Sequence, residues 1–62
     1  MYKLYIWLGA CGDAAVDMDG CVSDLLKEIA SAVKAEEFSP TPQCLHAVIW
    51  NPDGDQIVDV QF

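Results

Sequence analysis

Three cysteines, one histidine and ten carboxylates are the side chains of this 62-residue chain with the chemistry to ligate, transfer a proton or attack. Calcium would need a loop of spaced oxygen ligands. The nearest frame takes Gly20 as its glycine and Asp17 and Asp19 as ligands, but it begins at Ala15 and ends at Leu26, where carboxylates are required. Zinc has suitable ligand types in Cys11, Cys21, Cys44 and His46, without the closely paired cysteines of zinc folds. Nucleophilic catalysis needs a cysteine or serine beside a base and an orienting group, and His46 is the single histidine available as that base. Gly9 to Gly12 is followed by neither the Gly-Lys-Ser/Thr of a phosphate loop nor a dinucleotide fingerprint. The residues point away from an enzyme, a metal centre and a bound cofactor.

Charge points toward a partner instead. Three lysines and no arginine stand against the ten carboxylates, a net charge of −7, so direct contact with nucleic acid would be repulsive. The same imbalance suits a partner that is itself basic, as nucleic-acid-binding proteins are. Asp17, Asp19 and Asp24 lie near the start of a predicted helix, where the macrodipole favours anions. Glu36 and Glu37 lie at its end, where the dipole disfavours them and no lysine follows.

The elements that must carry these groups are legible from periodicity. Tyr2 to Leu8 alternates, with Tyr2, Leu4, Ile6 and Leu8 on one face and Lys3, Tyr5 and Trp7 on the other, which predicts a strand. Gly9 to Gly20 holds three glycines and three aspartates and reads as a long acidic connection with a short turn at Ala14 to Val16. From Cys21 to Glu37, Val22, Leu25, Leu26, Ile29 and Val33 form one stripe of an amphipathic helix, with Asp19 as its expected N-cap. Pro40 and Pro42 stop the helix, and Phe38 is expected to fold back onto the core. Cys44 to Trp50 and Asp55 to Phe62 read as a hairpin across Asn51-Pro52-Asp53-Gly54, a type I turn followed by a left-handed glycine.

The expected fold class is therefore α+β: one domain over residues 1–62 in the order β-α-β-β, a three-stranded sheet with one helix packed on one face and the last strand between the other two. A chain this short has no room for a second core. Pairing Trp50 with Gln56, Ile49 with Ile57 and Val48 with Val58 sets Trp50, Val48, Val58, Val60 and Phe62 on one side and Leu45, Ala47, Ile49 and Ile57 on the other, joined by Tyr5 and Trp7. One helix cannot cover two apolar faces, and Val16 and Met18 of the long loop are the candidates to fold over the second.

Compartment follows from the cysteines and hydropathy. An odd, sparse set fits a reduced, cytoplasmic setting better than a disulfide framework, with a Cys11–Cys21 bridge as the one alternative. No apolar run approaches a membrane span, and Leu4 to Cys11 is too short a leader for a lipoprotein signal.

Asp13, Asp17, Asp19, Asp24, Glu28, Glu36 and Glu37 are the candidates for a surface that imitates phosphate charges and occupies the basic channel of a nucleic-acid-binding protein or complex. In size, acidity and lack of catalytic motifs the chain resembles small phage-encoded anti-CRISPR proteins and related DNA mimics. That resemblance is one of overall character, carries no motif and transfers no functional residue. It implies an inhibitor acting by occlusion in a host cell's cytoplasm. The alternative is a structural or assembly module that docks a partner, or its own twin as a homodimer, through an open sheet face led by Tyr5, Trp7, Ile49 and Ile57.

Overall fold

A computed structural model describes residues 1–9 and 14–62. The alternating segment Tyr2–Leu8 forms β1, and Val16–Gly20 forms β2, folded back on it antiparallel. Helix α1 spans Val22–Glu37, and Leu45–Trp50 (β3) and Gln56–Gln61 (β4) form the hairpin. The sheet is thus four-stranded and wholly antiparallel, in the order β2-β1-β3-β4. The general α+β class holds, and two expectations are corrected. The acidic connection contains a strand, and β3, not β4, lies beside β1. The reason is compositional: a central strand must be apolar on both faces, which Leu45-His46-Ala47-Val48-Ile49-Trp50 nearly is, whereas Gln56, Asp59 and Gln61 give β4 the polar face of an edge.

The core lies between α1 and one face of the sheet. Leu25 and Ile29 of the helix meet Leu4 and Ile6 of β1 and Leu45, Ala47 and Ile49 of β3, with Val16 and Met18 of β2 and Val58 and Val60 of β4 closing its flanks. The helix crosses β1, β2 and β3 and does not reach β4. Val16 and Met18 therefore extend the covered face and do not fold over the open one.

The ends of the elements also depart from expectation. Asp19 belongs to β2, and the residue flanking the helix is Cys21, whose thiol donates to Asp24 Oδ2 at 3.2 Å and lies 3.3 Å from Ser23 Oγ. Phe38 does not return to the core: it is 76% exposed. Glu36 acquires a structural role at its unfavourable position, because its Oε2 accepts the Gln43 N–H at 3.0 Å and ties the helix end to the segment entering β3.

The hairpin turn forms as its residues require. Gly54 N–H donates to Asn51 O at 3.0 Å, Asn51 Oδ1 accepts the N–H groups of Asp53 and Asp55, and Gly54 has φ +91°. A further irregularity sits between Ile49 and Trp50. Trp50 pairs with Gln56 as expected, but Ile49 then pairs with Val58 and Val48 with Asp59, so the expected Ile49–Ile57 and Val48–Val58 pairs are displaced by one. A one-residue slip exchanges faces, which sends Val58 and Val60 to the helix side and Ile57, Asp59 and Gln61 to the other.

Candidate functional site

The face of the sheet away from the helix carries three cross-strand rows. Asp19, Lys3 and Trp50 make the first; Asp17, Tyr5, Val48 and Asp59 the second; Trp7, His46 and Gln61 the third. Backbone alternation on all four strands places them together, since their neighbours Met18, Leu4, Ile6, Ala47, Ile49 and Val58 point into the core. Tyr5 and Trp7 lie with ring centroids 5.7 Å apart, Trp7 and His46 5.5 Å apart, and Lys3 Nζ stands 5.6 Å from the Tyr5 centroid. Val48, at the centre of this frame, is only 4% exposed although no element lies over it among the described residues. Tyr5 stands opposite it on β1, and His46 and Trp50 flank it along β3.

Polar contacts fix part of the face. His46 Nε2 and Asp59 Oδ1 are 2.6 Å apart, and Gln56 Nε2 donates to Asp59 Oδ2 at 2.8 Å. The His46 hydrogen bond, helped by that of Gln56, holds the Asp59 carboxyl below its ordinary range. Tyr5, as hydrogen-bonding and electrostatic neighbour, and then Asp19 and Asp17 raise Lys3. One end of the face opens into a cleft of about 520 Å³ lined by Lys3, Tyr5, Asp19, Trp50 and the hairpin turn. The Trp50 indole Nε1 is buried without a partner among the described residues.

The structure divides the acidic candidates. Asp17 and Asp19 project from the open face on β2, while Asp24, Glu28, Glu36 and Glu37 belong to α1, on the other side of the sheet. Asp13 lies outside the described residues. The six described candidates do not form one surface. Of the apolar candidates, Tyr5 and Trp7 are half-buried on the open face and Ile57 is 46% exposed on the edge strand, but Ile49 is fully buried under the helix and is removed from the set. Lys3, Val48, Trp50 and the His46–Asp59 pair were missed as members of the surface. The alternation of β1 already put Lys3 beside Tyr5 and Trp7; Val48, Trp50 and His46 join them through the β1–β3 pairing, and Asp59 through the hairpin register.

Cys21 and Cys44 are exposed free thiols, and Cys11, with its expected alternative bridge, lies outside the described residues. Cys44 and His46 line one cleft, but no hydrogen bond joins them among the described contacts, and His46 engages Asp59 instead. Among the described residues no group of three histidine, cysteine or acidic side chains is placed to hold a metal ion. Among the described residues no helix is long and apolar enough to cross a membrane. What this geometry offers is a set of aromatic rings whose faces can accept cations, with the carboxylates of Asp17 and Asp19 alongside. No family model, curated protein or solved structure matches the chain.

Proposed function

We propose that the chain is an acidic binding protein that docks, through the open face of its sheet, on a basic surface of a partner protein. The observation that carries this reading is the Tyr5–Trp7–His46 stack beside Asp17 and Asp19, with no described element laid across it. Aromatic residues at the centre and charge at the rim are the anatomy of interface hot spots. Arginine is the side chain that uses both features, stacking on a ring while pairing with a carboxylate. Where the basic surface is one that binds nucleic acid, docking would occlude it, and the protein would be an inhibitor of the DNA-mimic type. The placement of the carboxylates favours mimicry by the sheet face with its aromatic rings over mimicry by a continuous acidic array.

The test is a titration with an arginine-rich peptide, followed by tryptophan fluorescence at increasing salt. Binding should weaken as salt rises and fall sharply in Trp7→Ala and in the double variant Asp17→Asn, Asp19→Asn. The double variant Asp53→Asn, Asp55→Asn removes the same charge from the hairpin turn and should bind nearly as well as the parent. If the two double variants lose affinity equally, the attraction is a property of net charge and the face is not the site. Occlusion is then read as displacement of labelled DNA from a basic partner that the protein binds.

A further inference from the structure

The β4 side of the molecule carries two features that the open face does not explain. The first is an unprotected edge. Leu45 and Phe62 exchange both backbone hydrogen bonds, at 3.3 and 2.9 Å, so by antiparallel alternation Val58, Val60 and Phe62 bond inward to β3 while Asp59 and Gln61 aim their backbone groups outward. Nothing among the described residues pairs with them. Natural edges are blunted by lysine, proline, shortness or charge. At the opposite edge β2 is short and carries two aspartates among five residues, but β4 has neither lysine nor proline and a single charge.

The second feature is a groove of about 510 Å³ on the helix side, in the space where α1 fails to reach β4. Leu26, Ala30, Val33, Phe38 and Phe62 line it. Phe38 is 76% and Phe62 62% exposed. At roughly 200 Å² per phenylalanine they leave about 280 Å² in water, over half of the roughly 500 Å² per partner that a specific interface needs at minimum. Edge and groove adjoin through Phe62, so one occupant can engage both.

We infer that this occupant is a second copy of the chain, joined by antiparallel β4–β4 pairing about a two-fold axis at Val60. The strand is self-complementary in that register. Val60 faces its twin, Val58 faces Phe62 of the other copy, and Asp59 faces Gln61, so apolar side chains meet on the helix side and polar ones on the open side. An axis at Asp59 would set two carboxylates directly opposite each other, and an axis at Val58 would pair Val60 with Gln56; both are inferior. An axis normal to the sheet keeps both helices on one side of a continuous eight-stranded sheet. Val58, Val60 and Phe62 of both copies then floor the trough between the helices, and Leu26 and Phe38 wall it. The open face stays free for a partner on each copy.

Sedimentation across a concentration series tests this. The wild type should pass from 6.8 kDa to twice that mass, and dimerisation should strengthen with salt because two chains of −7 repel, the reverse of docking on a basic surface. Gln61 is exposed, so changing its charge leaves folding intact. Gln61→Glu opposes Asp59 of the other copy twice by symmetry and should weaken the dimer roughly two- to thirtyfold; Gln61→Lys should tighten it, and Trp7→Ala should leave it unchanged. A monomer at every concentration overturns self-pairing and leaves the edge to a strand of another protein. A dimer indifferent to the Gln61 charge, or an assembly that grows beyond two, overturns the register.

Discussion

Each face of the sheet has an apolar centre, and the two centres are closed by opposite means. On one, Leu4, Ile6, Ala47 and Ile49 are buried by another element, with Leu25 and Ile29 of α1 packed over them. On the other, Val48 is buried by its own neighbours, Tyr5, Trp7 and Trp50 among them, whose rings remain half-exposed. The first arrangement removes a face from water permanently. The second protects a small centre and leaves aromatic surface available, so the covered face carries stability and the open face is the one free for the docking proposed above.

The largest effect that would sharpen this contrast is at Ile49. Ile49→Ala should cost about 2–5 kcal/mol, because the rigid helix cannot collapse into the cavity. A chain of this size has roughly 3–9 kcal/mol in all, so that variant should be substantially unfolded in urea titrations where the parent is intact. Val48→Ala, equally secluded, should cost only about 1–2 kcal/mol, since the surrounding rings can settle toward the vacancy. Equal losses at the two positions would break the contrast and show the open face to be a second core.

The next effect concerns the turn that aligns β4 with both faces. Gly54 has φ +91° and nothing within 4 Å of where a Cβ would stand, so a side chain there is opposed by backbone conformation alone. Gly54→Ala should lower stability by about 1–2 kcal/mol, and Gly54→Asn by less, because asparagine tolerates the left-handed region. Thermal melts of the two variants distinguish a conformational cost from a steric one, which would penalise the larger side chain more.

What was legible in the residues follows the strength of their periodicity. The stripe of Leu25, Ile29 and Val33, the alternation from Tyr2 to Leu8 and the Asn51 to Gly54 turn each repeat or punctuate strongly enough to specify an element alone. Val16–Gly20 does not: two apolar residues alternate with two aspartates before a glycine, and residues disfavoured in strands conceal a period of two that the pairing with β1 makes real. The error at Ile49 has a different origin. A glycine at the turn accounts for one irregularity, but the second, between Ile49 and Trp50, leaves no mark in composition, and everything beyond it changes face. The aromatic half of the site was therefore readable from β1 alone, whereas its His46–Asp59 corner required the tertiary pairing. Glu36 shows the converse: its position at the helix end breaks a charge preference, and the compensation is a hydrogen bond to Gln43, which helix periodicity does not reveal.

The smallest effect lies in that corner and follows from proton linkage. The hydrogen bond from His46 holds the folded-state pKa of Asp59 below its ordinary 3.8. As pH falls, the unfolded chain takes up this proton before the folded one does, so the contribution is complete above about 3.8 and is lost as pH falls through the lower, folded-state value. Asp59→Asn removes that dependence. Urea midpoints measured from pH 5 down to pH 2 should therefore converge, the wild type losing its advantage over the variant in the acid range while the two run parallel above it. Both side chains stand well in water, 39% and 49% exposed, so solvent screening keeps the gap small. A gap as wide as that of Ile49→Ala would mean that the corner is sealed, and a sealed corner would belong to a covered face. The acid limb thus measures, without any partner, whether the aromatic surface is as open as its geometry requires.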